Sequence, residues 1–181
     1  MGKKPVEYGE AEYWDQRYLK DQRAHFEWLQ DFEALKEQIE AVLGKNKEAR
    51  ILHIGCGNSE LQFGLYSAGY HNIVNIDISG VVIEQMRREQ EEKGFDKMQF
   101  EVMDVTKMDY PDESFDLVLD KSTIDTLMCT ESPLINVARM AEESHRVLRP
   151  GCAYFGISYA PPSKRLEHIT RKNVRWEAES R

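Results

Sequence analysis

Cysteine is scarce in this chain and forms no motif. The 181 residues include three, Cys56, Cys129 and Cys152, an odd number with no Cys-x-x-Cys spacing, so no disulfide framework is expected. None of the five histidines pairs with another at the spacing of a helical metal motif. No metal site is expected, and His53 and His145 read as structural. Long apolar runs are missing too. Nothing approaches the roughly 20 residues of a membrane span, and the opening Met1-Gly2-Lys3-Lys4-Pro5 lacks the apolar core of a secretion signal. Gly2 suits myristoylation, but Val6 stands where Ser or Thr is required. These absences predict a cytosolic chain that makes no contact with membranes. Positive charge is in deficit, with 24 Lys and Arg against 32 Asp and Glu, a formal net charge of −8. Affinity for nucleic acid rests on clustered cations, so nucleic acid is not an expected partner. A basic protein or a small molecule fits this balance better.

What is present is organised around the stretch Arg50-Ile51-Leu52-His53-Ile54-Gly55-Cys56-Gly57-Asn58-Ser59-Glu60. A short apolar run breaks into Gly-x-Gly and an amphipathic pattern follows, which reads as strand, tight turn and helix. Glycine suits such a turn because a side chain blocks both the unusual backbone angles and the close approach of a nucleotide-like ligand. The third position of the dinucleotide fingerprint is Glu60, and a bulky acid there argues against a nicotinamide dehydrogenase. Cys56 reads as a small buried packing residue rather than a nucleophile.

With 41% hydrophobic and 31% charged residues, the chain suits one domain with a single substantial core, and a monomer. Three stretches are expected within it: a lid and helix over 1–48, a ligand-binding core over 49–159 and a tail over 160–181. Tyr13-Trp14-Asp15-Gln16-Arg17-Tyr18 predicts a short helix. Its aromatics either anchor the arm on the core or form a lid over a ligand. Phe26, Leu29, Phe32, Leu35, Ile39, Val42 and Leu43 recur at spacings of three and four, which predicts one amphipathic helix from Phe26 to Leu43, stopped by Gly44. After the glycine turn, helices are predicted over Glu60–Ala68, Val81–Lys93 and from Pro133. The last of these places Leu134, Val137, Ala138, Ala141 and Leu148 on one apolar face and stops at Arg149-Pro150-Gly151. Strands are predicted over Asn72–Ile78, Met98–Val105, Phe115–Asp120 and Cys152–Tyr159, with a loop or broken helix over Lys121–Thr130. Ala160-Pro161-Pro162 reads as a stiff loop, and a short strand is expected over Asn173–Glu179. Alternation of this kind predicts an α/β fold, a Rossmann-like, doubly wound and mostly parallel sheet.

Three strands deliver an acid to one rim, at Asp77, Asp104 and Asp120. Asp77 lies twenty residues beyond Gly57, a spacing that brings a carboxylate beside the glycine turn of a βαβ unit, where it can accept from both hydroxyls of a ribose. A single strand-end acid is often a cap or a turn former; the ordered set is not. It resembles the class I, seven-strand S-adenosylmethionine-dependent methyltransferases, as do Phe115-Asp116-Leu117-Val118 and Val147-Leu148-Arg149-Pro150-Gly151. The resemblance covers roughly Ala49 to Tyr159.

A narrower likeness is carried by Tyr13 to Tyr18, Ile54-Gly55-Cys56-Gly57-Asn58-Ser59, Met103-Asp104-Val105 and Asp120-Lys121-Ser122-Thr123-Ile124-Asp125. These are similar to eukaryotic methyltransferases that modify lysine on translation elongation factor 1A. The resemblance implies S-adenosyl-L-methionine as cofactor and a protein substrate such as elongation factor 1A. It places the Gly55 to Gly57 turn along the methionine moiety, Asp77 on the ribose and Ile78 on the adenine. Asp104 accepts from the adenine amino group beside the Val105 backbone, Lys121 lies near the methionine end through its backbone, and Trp14, Tyr18 and Trp28 close over the cofactor. Ser122 departs from the pattern, which has glycine there, and the C-terminal β-hairpin is expected to be incomplete. Methyl transfer from a sulfonium is an in-line displacement, so positioning and exclusion of water matter most. A lysine nucleophile, with a reference pKa of about 10.4, must first lose its proton. Asp120 or Asp125 is expected to orient that amine. The Asn/Asp-Pro-Pro-aromatic mark of methylation on adenine or glutamine does not follow the fourth strand. Two other readings remain: a small-molecule methyltransferase, favoured by a closed apolar pocket over an open acidic rim, and an inactive cofactor-binding partner protein.

Overall fold

The computed structural model describes residues 8–20, 25–170, 174, 176, 177 and 179. Short aliphatic runs form five strands: β1 (Ile51–Ile54), β2 (Ile73–Asp77), β3 (Gln99–Val102), β4 (Phe115–Lys121) and β5 (Leu148–Ile157). Every neighbouring pair is parallel and the order is β3-β2-β1-β4-β5. The chain therefore winds outward in one direction from β1 to β3 and then returns to the other side of β1. That reversal opens a crevice at the carboxyl ends of β1 and β4, the place where parallel sheets bind ligands.

Seven helices are described: α1 (Ala11–Lys20), α2 (Phe32–Leu43), α3 (Leu61–Ser67), α4 (Gly80–Lys93), α5 (Thr123–Leu127), α6 (Pro133–Val147) and α7 (Pro162–Ile169). None is long and apolar enough to cross a membrane. Side-chain alternation along the strands feeds two apolar layers. Ile51, Ile73, Leu117 and Leu119 face Leu35, Ile39, Leu61, Leu65, Val82 and Ile83, from α2, α3 and α4. Leu52, Ile54, Val74, Ile76 and Val118 face Ile124, Val137, Met140, Ala141 and Ile169, from α5, α6 and α7. A register irregularity between Phe115 and Leu117 lets Phe115 join the second layer.

Several expected boundaries move. The long helix begins at Phe32, because the Asp31 side chain accepts from Ala34 N at 3.0 Å and Leu29, at φ 65°, breaks the path before it. Phe26 to Gln30 are thus a loop. β3 ends at Val102, which leaves Asp104 in the turn beyond it. Arg149-Pro150-Gly151 lies among the first residues of β5 rather than between elements, with Gly151 at φ 77°. Pro162 opens α7, which the charged tail concealed, since proline suits the first turn of a helix. Leu134, expected on the buried face of α6, is 51% exposed. Of the strand expected over Asn173–Glu179, Asn173, Arg175 and Ala178 lie outside the described residues; Val174 is buried and makes an isolated bridge, and Trp176, Glu177 and Glu179 belong to no strand.

Candidate functional site

Gly55 (φ 56°) and Gly57 (φ 52°) turn the chain through the left-handed region directly after β1, a conformation that glycine adopts without steric cost. Cys56 N, between them, donates to Ile76 O at 2.9 Å and ties the turn to β2. Gly57 N donates to Asp77 Oδ2 and Ser79 N to Asp77 Oδ1, each at 2.9 Å. Burial pushes the Asp77 carboxyl up to about 6, while those two amides pull it back and Asp15 adds to the rise. The turn is also closely covered. A Cβ on Gly55 would overlap the Thr123 hydroxyl, and one on Gly57 would stand 2.8 Å from the Tyr18 hydroxyl. Thr123 Oγ1 itself donates to Ile54 O at 2.9 Å, which fixes the end of β1 against the start of α5.

Two segments roof this floor. On α1, Trp14 and Tyr18 stack with centroids 6.0 Å apart, and Trp14 Nε1 donates to Tyr8 O at 2.8 Å. Asp15 accepts from Ser79 Oγ at 2.5 Å and Val81 N at 3.2 Å, so α1 caps the amino end of α4 from outside. The second segment is the loop before α2. Phe26 and Trp28 meet edge to face at 4.7 Å, with the Arg17 guanidinium 5.6 and 5.8 Å from their ring centres. Glu27, between them, accepts from Ser59 Oγ at 2.8 Å, from Glu60 N and from Lys121 Nζ at 2.5 Å. Lys121 Nζ also donates to Trp28 O at 3.1 Å, and its side chain is 2% exposed. His25 adds a ring-nitrogen contact of 2.9 Å to Asn58 O and an ion pair of 3.1 Å with Glu89 when protonated.

Floor and roof enclose a cavity of about 310 Å³. Trp14, Tyr18, Trp28, Gly55, Gly57, Asp77, Ile78, Asp104, Val105 and Lys121, the ten residues expected around a cofactor, all line it. Asp104 is exposed and uses Oδ1 to accept from Thr106 N and Thr106 Oγ1, both at 2.8 Å. Neither acid expected to orient an amine is among the lining residues. Asp120 is fully buried and accepts from Thr123 N at 2.8 Å, Ile124 N at 3.2 Å and Tyr154 Oη at 2.5 Å. Burial raises it to about 6, with the Tyr154 hydroxyl and the two amides opposing. Asp125 pairs with Arg165 at 2.5 Å and accepts from Ser158 Oγ at 2.7 Å and Tyr159 N at 3.0 Å, an anchor between α5, β5 and α7.

The structure adds residues that the sequence reading left aside. Glu27 falls within the helix expected from Phe26; Asp31 directly before Phe32, with Glu33 in the first turn, is the sequence signal that the helix starts beyond it. His53, read as structural, lines the cavity while its Nδ1 lies 3.3 Å from Asn75 Oδ1. Burial, reinforced by the charge of Lys121, lowers its pKa to about 3, so it is neutral at physiological pH.

A family model described as a methyltransferase domain matches residues 45–178. The eEF1A lysine and N-terminal methyltransferase of Mus musculus is 41% identical over 176 residues, covering 96% of this chain and 24% of that protein. The EEF1A lysine methyltransferase 4 of Mus musculus is 33% identical over 186 residues, covering 97% of this chain and 71% of that protein. The chain thus spans about a quarter of the length of the first relative. Among solved structures, the [4+2]-cyclase SpnF superposes with a TM-score of 0.66 at 17% identity, covering 88% of this chain and 70% of its own. The PH0226 protein of Pyrococcus horikoshii OT3 gives a TM-score of 0.60 at 24% identity, covering 69% and 51%. Likeness at these identities shows the fold.

Proposed function

The chain belongs to the methyltransferase-domain family, and from that premise we propose that it uses S-adenosylmethionine to methylate a lysine amine of a protein, with translation elongation factor 1A as the substrate. The observation that carries the reading is the convergence of the glycine turn, Asp77, Asp104 and the three aromatics Trp14, Tyr18 and Trp28 on one cavity. The relatives named as eEF1A lysine methyltransferases support the choice of substrate.

The lining suits this cofactor. Asp77 presents a carboxylate held from behind by two amides, the arrangement that accepts from paired ribose hydroxyls. Gly57 leaves a cradle under the Tyr18 hydroxyl that a side chain would fill. Ile78 and Val105 offer apolar contact to a purine, and Asp104 offers an acceptor to its amino group. S-adenosylmethionine, once bound, supplies an electrophilic methyl group on a sulfonium. The residues of the chain exclude water and fix approach: Trp14, Tyr18, Phe26 and Trp28 wall the space, and an amine held there is desolvated, which favours its neutral, nucleophilic form. Asp120 and Asp125 act on the site through what they hold. Asp120 fixes the start of α5, and with it the Lys121–Ser122 backbone at the cavity; Asp125 fixes the end of β5. Both are positioning residues in this reading.

The test is methyl-labelled S-adenosylmethionine with purified elongation factor 1A, with Asp77→Ala as control. Label on a lysine, lost in the variant, is the expected result. S-adenosylhomocysteine binding without transfer would instead favour a protein that binds cofactor without working alone, and transfer confined to small molecules would favour the small-molecule reading.

A further inference from the structure

The mouth of the cavity has a lip that cofactor binding leaves unused. Residues 128–132 carry the chain from α5 into α6, and the stretch Tyr8-Gly9-Glu10 lies against them: a Cβ on Gly9 would stand 3.0 Å from Thr130 Cγ2. Glu10 follows that contact on one segment and Glu131 follows it on the other. Both are exposed, and neither carboxylate has a partner among the described residues. Leu134 and Ile135 come next, on the first turn of α6, 51% and 55% exposed. Ile135 and Arg139 are four apart and so share one side of the helix, and Arg139 lines the cavity together with Glu10 and Asn136. The lip is also held in shape. Asn136 Nδ2 donates to Thr130 Oγ1 at 3.0 Å, Thr130 Oγ1 to Leu127 O at 2.7 Å, and Ile135 N to Ser132 O at 3.1 Å.

We propose that Glu10, Glu131, Leu134 and Ile135 form the docking surface for the protein substrate, and that they receive a basic surface with an apolar centre beside the target lysine. The inference rests on the reading of protein methylation given above. Two outward aliphatic side chains next to two unneutralised carboxylates have the composition of an apolar contact with a polar rim. The charge selects the occupant. A second copy of this chain, at a net charge of −8, would meet like charge, as would nucleic acid, whereas a basic protein is drawn toward the lip and turned to face it. A small molecule inside the cavity would leave both aliphatic groups in water. Because the lip is already ordered, docking loses little conformational freedom.

The experiment measures KM for elongation factor 1A at saturating S-adenosylmethionine in the wild type and in Ile135→Asp, Glu131→Lys and the control Val42→Asp, with S-adenosylhomocysteine affinity determined in parallel. KM is expected to rise about tenfold in each lip variant, with cofactor affinity retained and the control unmoved. Added salt should raise KM for the wild type more steeply than for Glu131→Lys. Transfer by the wild type with KM unchanged in both lip variants overturns the docking surface alone. Absence of transfer by a wild type that binds S-adenosylhomocysteine overturns the substrate reading, and the docking surface with it. Should Ile135→Asp lose cofactor affinity through misfolding, Glu131→Lys, on an exposed connecting residue, decides the matter.

Discussion

Asp77 accepts from two backbone amides and is nine-tenths buried, so its ionised form is held in place yet is costly to maintain. Its pKa of about 6 makes cofactor affinity sensitive to pH. Only the carboxylate can accept from both ribose hydroxyls, so S-adenosylhomocysteine binding should weaken as pH falls through about 6, by at most about tenfold per pH unit for a single proton. Isothermal titration between pH 5 and 8 checks this, and Asp77→Asn should bind weakly at every pH with the dependence gone. Ser122 presents a different strain. It sits at φ 70° where the related pattern has glycine, and its amide donates to Ile157 O at 2.9 Å. A non-glycine residue there carries a left-handed cost, partly offset by the greater freedom that glycine brings to the unfolded chain. Ser122→Gly should therefore stabilise the protein by up to about 1 kcal/mol in urea unfolding.

Among the elements, the loop before α2 is fastened at several points. Glu27 joins it to the glycine turn and to β4 at once, and it is the only carboxylate partner of the Lys121 ammonium among the described residues. Glu27→Gln keeps the shape and removes the charge, leaving a cation buried without its partner. A cost of about 1–3 kcal/mol is expected, less than for a fully buried pair because Glu27 is 25% exposed. Glu27→Gln with Lys121→Met should recover most of that stability while the loop stays loosened over the cofactor; urea unfolding and S-adenosylhomocysteine affinity separate the two effects. The pairing of Glu27 with Lys121 is not legible in the sequence. An acid in a run with helical spacing looks the same whether it faces water or a lysine ninety-four residues away. The strands, the glycine turn and Asp77 were legible because their signals are local: alternation, a turn that needs glycine, an acid at a fixed distance. Asp120 shows the limit of such signals. It stands at the carboxyl end of its strand, one residue before the last, and only the position of Tyr154 on the neighbouring strand shows that it points into the core.

For the molecule as a whole, two buried carboxyls set an unusual acid limb. Asp77 and Asp120 both have folded pKa values near 6, raised by burial from 3.8. A group raised in this way binds its proton more readily folded than unfolded, so its contribution to stability is full below the unfolded value and is lost as pH rises through the folded one. Against this gain stands His53, which the fold holds neutral and which charges below about 6.5 when unfolded. Stability without cofactor should therefore stay level from pH 7 to about 6 and rise below that, where the two carboxyls outweigh the one imidazole. Only nearer 4 should Asp116 and Glu143, whose pairing with arginine lowers their pKa, begin to be lost. Tm measured from pH 4 to 8 tests this, and Asp120→Asn should flatten the limb while S-adenosylhomocysteine still binds.

The reach of Asp15 across to Ser79 and Val81 also orders events in time. A ribosome delivers α1 and the loop at Phe26 long before α4, and longer still before the Lys121 that holds Glu27. Until those later residues emerge, the roof has nothing to rest on. The nascent chain must therefore carry Trp14, Tyr18, Phe26 and Trp28 uncovered until α4 and β4 have emerged. Chaperone contact is expected to fall on the aromatic segment from Trp14 to Trp28, and premature termination before β4 should leave that segment exposed.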